Sequence, residues 1–313
     1  MNKGKYIRFV KDYSLPINIF DEEHINYYRE LYKDFWPTEG ENLMNKEIEQ
    51  FDGNVDKWLE HYGQIRDNII NTLENSDEYK DFNTRVLSEF DIPTPQIGEH
   101  SCYTENNDGS LFLSVDLRKA NFQALKYVNI IKEDTYEDFV KTFGASDYFA
   151  NSKYLRQVIF GKLNPKRQIK VEKFLIYNII KYFNLLKNFS ALELFSINSD
   201  EVVYKISNLS DVSKLDLEAI KEKIKEILGI DVKLEIVEIK RLPIINSNGN
   251  RIDAYVRKNI YTLEETLKKA STTFYPQIWK LYKGMEITEM DRHFFFEDQI
   301  ATFNNPLILL KND

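Results

Sequence analysis

The spacing of apolar residues changes along this chain, from a helical repeat near its start to strict alternation further on. Over residues 1–100 the pattern is mainly helical, with stretches over about 22–35, 53–75 and 77–89. Asp21, followed by Glu22 and Glu23, supplies an N-cap and first-turn acids for one of these helices. Pro93, Pro95 and Gly98 mark a connection, and Asn106-Asn107-Asp108-Gly109 marks a turn. Ser110 to Asp116 then reads as a short buried strand ending on an acid. Helical spacing returns over about 119–131, 135–143 and 148–162, and Pro165 opens a longer helix to about residue 187.

Beyond it, Ala191 to Ile197 and Glu201 to Ile206 are apolar runs split by a short Asn-Ser-Asp tip, the pattern of a β-hairpin. Asp216 to Leu228 places Ile220, Ile224, Ile227 and Leu228 on one helix face, and Gly229 stops it. Val232 to Leu242 alternates apolar and polar residues and ends at Pro243, a fourth strand. Residues 110–243 therefore run strand, helices, strand, turn, strand, helix, strand. That is the ferredoxin-like split βαβ order, an α+β fold with a four-stranded antiparallel sheet and helices on one face. The expected organisation is a helical region over 1–108, the sheet domain over 109–243 with a helical insertion at about 119–188, and a mainly helical region over 244–313. That last region should hold a turn at Asn246–Asn250, a helix over about 262–283 and an aromatic segment, His293-Phe294-Phe295-Phe296.

Composition narrows the class. A chain of 313 residues that is 42% hydrophobic can bury a substantial core, and most of its Tyr and Phe belong there. A single cysteine, Cys102, excludes an intramolecular disulfide framework and a cysteine zinc site. The four histidines, His24, His61, His100 and His293, lack metal-binding spacing, and no glycine-rich phosphate loop occurs. No apolar run reaches membrane-spanning length and the first residues lack a signal peptide's apolar segment, so a cytoplasmic protein with no membrane partner is expected. Asp291 and Glu297 read as surface acids, and Trp279 and Phe294 to Phe296 as core.

Charge is uneven. The chain carries −8, yet residues 151–190 hold nine Lys or Arg against one acid, Glu172, a net +8 that leaves −16 on the rest. Either an anion-binding surface or a solvated, lysine-rich helix face accounts for it.

The strand order gives the acids a meaning. In a ferredoxin-like sheet the end of strand one lies beside the turn joining strands two and three, which brings Asp116 to Asp200 and Glu201. Taken singly, each is an ordinary turn or strand-end acid. Together, three carboxylates are costly unless a cation neutralises them, and oxygen donors suit Mg²⁺ or Mn²⁺. Two such ions can activate a hydroxyl and stabilise departing pyrophosphate. Arg156 and Lys162, or Lys166, Arg167 and Lys170, could then hold a triphosphate. The sequence leaves the choice among them open.

These residues resemble a known family. Ser114-Val115-Asp116-Leu117-Arg118-Lys119-Ala120-Asn121-Phe122 is similar to the first motif of the palm of nucleic-acid polymerases. Asn198-Ser199-Asp200-Glu201-Val202-Val203 is similar to the His-Asp-Glu hairpin of family A (DNA polymerase I type) enzymes, with Ser199 where that family has histidine. The resemblance covers about residues 110–243, and the family's fingers motif is not found. It implies a polymerase palm with a thumb-like N-terminal region and a fingers-like insertion. It implies template-directed transfer of nucleotides from nucleoside triphosphates to a primer 3′-hydroxyl, with two Mg²⁺ (or Mn²⁺) ions on Asp116 and Asp200 and Glu201 assisting. Nucleic acid would be the partner, with accessory replication proteins beside it. Asn121 and Phe122 fall where polymerases test the sugar 2′ position, although plain core also accounts for Phe122. No exonuclease pattern is found, and the small size suggests a viral or mobile-element enzyme, placed in the host cytoplasm if viral. The competing readings are a non-catalytic palm remnant that binds nucleic acid or serves assembly, and a palm acting on small molecules as nucleotide cyclases do.

Overall fold

The computed structural model describes residues 2–93, 101–185, 192–207 and 216–310. Pro95, Gly98, His100, Lys187 and Ala191 lie outside the described residues. The N-terminal region is helical as expected: α1 (Lys3–Tyr13), α2 (Glu22–Leu31), α3 (Thr38–Glu49), α4 (Val55–Asn75) and α5 (Asp77–Thr84). Short polar side chains cap the first turns of all but α3, which follows Pro37. Asp21 accepts from the His24 amide at 2.9 Å, and Asn54 and Ser76 do the same for α4 and α5. These helices bury Phe9, Tyr28, Tyr32 and Trp58 in an apolar cluster continuous with that of the sheet, so the aromatic excess is spent on core.

After β1 (Ser110–Leu117) comes the helical insertion: α6 (Ala120–Tyr127), α7 (Tyr136–Lys141), α8 (Asp147–Ala150), α9 (Lys153–Lys162) and α10 (Pro165–Leu185). A buried polar node fixes α9 to the N-terminal helices. Asp12 accepts from Arg8 (2.8 Å), from Tyr148 (2.7 Å) and from Ser152, while Ser152 also caps α9 by accepting from the Leu155 amide at 2.8 Å. Removing one partner would strand a buried carboxylate, which is why such nodes hold elements in place.

The hairpin is β2 (Leu192–Ile197) and β3 (Glu201–Ile206), followed by α11 (Leu217–Leu228), β4 (Val232–Ile245), β5 (Arg251–Asn259) and β6 (Glu265–Lys268). All pairings in this sheet are antiparallel, and the order is β2-β3-β1-β4-β5-β6. The first four strands have the ferredoxin-like order read from the sequence. The expected four-stranded sheet is nevertheless larger, because the region expected to be mainly helical supplies β5, β6 and β9 (Ile308–Leu309), which pairs with β4. In that region the helix expected over 262–283 is confined to α12 (Tyr275–Lys283), and β7 (His293–Phe296) with β8 (Gln299–Thr302) forms a separate hairpin.

Three local readings are corrected. Strand β4 does not end at Pro243 but runs through it to Ile245. On the side away from β5, β1 stops opposite Ile239 and only the short edge strand β9 follows, so the missing N–H at 243 costs one bond at the sheet's edge while the Pro243 carbonyl on that side accepts from Leu310 at 2.8 Å. Asp291 is fully buried, taking Lys280 at 2.8 Å and the Tyr27 hydroxyl, and is not a surface acid. Phe295 and Phe296 are exposed on the β7–β8 hairpin rather than in the core, whereas Trp279 is buried.

Alternation along the strands gives the sheet two unlike faces. Leu113, Val115, Leu117, Val202, Tyr204 and Ile236 pack into the main core, where α10 contacts β3 and α11 contacts β4. The opposite face has a small apolar patch of Phe112, Val203, Val237, Ile239 and Tyr255, partly covered by Cys102, Tyr103 and Phe195. Toward the end of β1 that face turns polar. Among the described residues no helix is long and apolar enough to cross a membrane.

Candidate functional site

Asp116 stands directly opposite Glu201 on β3 and opposite Lys233 on β4, so all three side chains rise from the polar face. Ser114, two residues back and therefore on the same face, donates to Glu201 Oε1 at 2.6 Å. The Leu117 amide donates to the Asp200 carbonyl at 2.8 Å, which ties the hairpin tip to the end of β1. The Asn198 amide donates to the Glu201 carbonyl at 2.8 Å and closes the turn. The sequence-predicted trio is therefore brought to one sheet end. Burial pushes the Asp116 carboxyl up to about 7, and the neighbouring charges of Glu201 and Asp200 add to the shift. Asp200 is exposed at the tip. The three carboxylates are neighbours without being a preformed ligand set: among the described residues no group of three or more His, Cys, Asp or Glu is arranged to hold a metal ion. The donors fit a divalent cation in their chemistry, since all are carboxylate oxygens and a cation would offset the burial and neighbouring charge that raise the Asp116 carboxyl.

Just past β1 the chain turns at Lys119, whose φ of 53° lies in the left-handed region, and α6 begins. Asn121 on α6 donates to Glu172 Oε1 of α10 at 3.0 Å. Glu172 is 3% exposed, and burial followed by the charge of Asp200 raises its carboxyl to about 7. Sequence reasoning had passed over this residue, although its standing as the lone acid in the basic run was the available signal. Phe122 is buried against Tyr136 and Phe139, in agreement with a core role.

The basic run divides. Arg156 is half-buried on α9 and near enough to Asp116 to interact with its charge. It lies 5.9 Å from the Tyr136 ring, makes no ion pair among the described residues, and burial lowers its pKa. The others turn toward the N-terminal region. Lys170 pairs with Asp91 at 2.6 Å, Arg167 donates to the Arg85 carbonyl and lies over Phe82, and exposed Lys162 helps hold the Asp67 carboxyl low. Lys166 is exposed. Of the five cations considered for triphosphate, Arg156 is the one shown, among the described residues, to interact with the charge of Asp116.

A cleft of about 750 Å³ opens beside Asp116 and Phe122, and sequence reasoning assigned no functional role to the rest of its walls. Arg118, Lys119, Lys126, Lys225 and Lys233 supply cations there, against Asp134, Glu137 and Asp231. Their signal was weak, because they come from three separate segments that only the fold unites. Further along the polar face, buried Glu235 takes Arg257 at 2.9 Å, Lys233 at 3.0 Å and Asn259 at 3.2 Å. Those partners hold its pKa below the ordinary value despite burial. β5 thus adds a guanidinium within the field of Glu201. No protein-family model matches the chain, and no curated protein matches it.

Proposed function

We propose that the chain is a nucleotidyltransferase of the polymerase-palm kind, adding nucleotides to a primer 3′-hydroxyl under the direction of a template. The observation that carries this reading is the convergence of Asp116, Asp200 and Glu201 at one end of a sheet with ferredoxin-like strand order, on the face away from the helices. Asp116 and Asp200 would hold two Mg²⁺ or Mn²⁺ ions with Glu201 beside them, and the ions would lower the pKa of the attacking hydroxyl and offset the charge of the leaving pyrophosphate. Glu201 is oriented by Ser114. Arg156, desolvated and forming no ion pair among the described residues, suits a triphosphate, and the cations of the adjoining cleft suit the same anion. Asn121 stands next to this site, held by Glu172.

The test is nucleotide incorporation by purified protein on a primer–template with Mg²⁺ or Mn²⁺, and on the primer alone. Incorporation that needs template, and that Asp116→Ala and Asp200→Ala each abolish, is expected. Absence of any incorporation sensitive to those substitutions refutes the reading and favours a non-catalytic nucleic-acid-binding role.

A further inference from the structure

Two strands beyond the carboxylates, the polar face carries cations that the fold leaves unsatisfied. Arg257 on β5 is opposite Thr266 on β6, and Lys268 is opposite Tyr255, so Arg257, Thr266 and Lys268 share one face. The Arg257 side chain is 16% exposed, and its guanidinium makes one hydrogen bond among the described residues, to Glu235, leaving most of its five N–H donors available. Lys268 is half-buried, and its ammonium forms no ion pair or hydrogen bond among the described residues. Burial, then the neighbouring guanidinium, depress its pKa, against the opposing charges of Glu201 and Glu235, while exposed Lys153 of α9 adds positive charge. The Thr266 hydroxyl is buried with no hydrogen-bond partner among the described residues. A desolvated ammonium beside a guanidinium with spare donors and an idle hydroxyl is an arrangement completed by an oxyanion.

We infer that the β5–β6 hairpin is a phosphodiester-binding shelf, on which Arg257, Thr266 and Lys268 hold a backbone phosphate of a polynucleotide strand. Arg257 is opposite Ile239 of β4 and Lys268 is opposite Tyr255, itself opposite Arg241, whereas Asp116 is opposite Lys233, so these residues leave the sheet six or more positions along β4 from Asp116. The Arg257 guanidinium still acts on the charge of Asp116, so a comparison of oligonucleotide with triphosphate binding decides which anion the shelf holds. The identity of the strand, a primer or template whose end lies at Asp116, rests on the nucleotidyltransferase reading; the shelf itself does not.

The experiment is fluorescence anisotropy of a labelled single-stranded oligonucleotide, without triphosphate, over a range of salt. Lys268→Glu is expected to weaken binding about tenfold and to lower the log–log salt slope by about one. Lys268→Arg should bind as the unaltered protein does, and so should Lys57→Glu, a charge-matched change on exposed α4. Equal affinity in Lys268→Glu and Lys57→Glu overturns the shelf. Should Lys268→Glu lose its melting transition, Lys268→Ala is read by the same criterion. Stabilisation by a nucleoside triphosphate, followed by thermal melting, should survive in Lys268→Glu, and its loss there would assign these residues to the triphosphate and overturn the proposal. Oligonucleotide binding through Lys268 without incorporation sinks the transferase reading and leaves the shelf standing. Template-directed incorporation with binding indifferent to Lys268 does the reverse.

Discussion

The two faces of one sheet are built from alternate residues of the same strands, and they do opposite things. Leu113, Val115 and Leu117 of β1 are sealed in the main core, while Phe112, Ser114 and Asp116 between them look the other way. The helix-side face is aliphatic and satisfied. The other carries Asp116, whose carboxyl is raised by burial and by Glu201 and Asp200, and Lys268, which forms no ion pair among the described residues; Arg156 of α9, likewise without an ion pair among them, lies within the field of Asp116. A folded chain that keeps charges in such surroundings has a use for a ligand that compensates them.

The largest effect should come from the satisfied face. Leu113→Ala removes a fully buried side chain and is expected to cost about 3 kcal/mol in denaturant unfolding. Next is Arg257→Ala, which leaves Glu235 with Lys233 and Asn259 alone and should cost about 2 kcal/mol by the same measurement. The third change has the opposite sign. In the unfolded chain Asp116 ionises near its ordinary value, whereas in the fold it keeps its proton to about 7. Its unfavourable contribution is therefore absent below pH 4, grows as pH rises, and is complete above 7. Asp116→Asn should raise stability at pH 8 by about 1–2 kcal/mol and leave it nearly unchanged at pH 4, checked by melting at both values. The smallest is Lys166→Ala on the exposed start of α10, expected to shift stability by less than about 0.5 kcal/mol and incorporation hardly at all. A large loss of incorporation there would return the triphosphate to the α10 cations.

Local pattern made much of this legible. The alternation of Ser110 to Leu117 and of Val232 to Leu242, with the turn before Glu201, fixed the order of four strands and so the meeting of Asp116 with Asp200 and Glu201. What escaped depends on distant partners. Pro243 looked like a strand end because its tolerance depends on where β1 stops. The β5 and β6 segments carry Asp253, Arg257 and Lys268 among their apolar residues, a pattern that reads weakly as strand until the edge of β4 is there to pair with it. The cations of 151–170 form one run in sequence, but helix packing sends Arg167 and Lys170 to the N-terminal region and Arg156 to the carboxylates. Asp291 passed for a surface acid because its partner Lys280 and the Tyr27 hydroxyl are supplied by other elements.

The most direct measurement is the rate of template-directed nucleotide incorporation as Mn²⁺ is titrated at pH 8, with the unaltered chain, Asp116→Asn and Lys166→Ala side by side. Metal-dependent incorporation that Asp116→Asn abolishes and Lys166→Ala retains is the expected result. A fully folded protein that incorporates nothing at any metal concentration, or an Asp116→Asn variant that matches the unaltered chain, would contradict it.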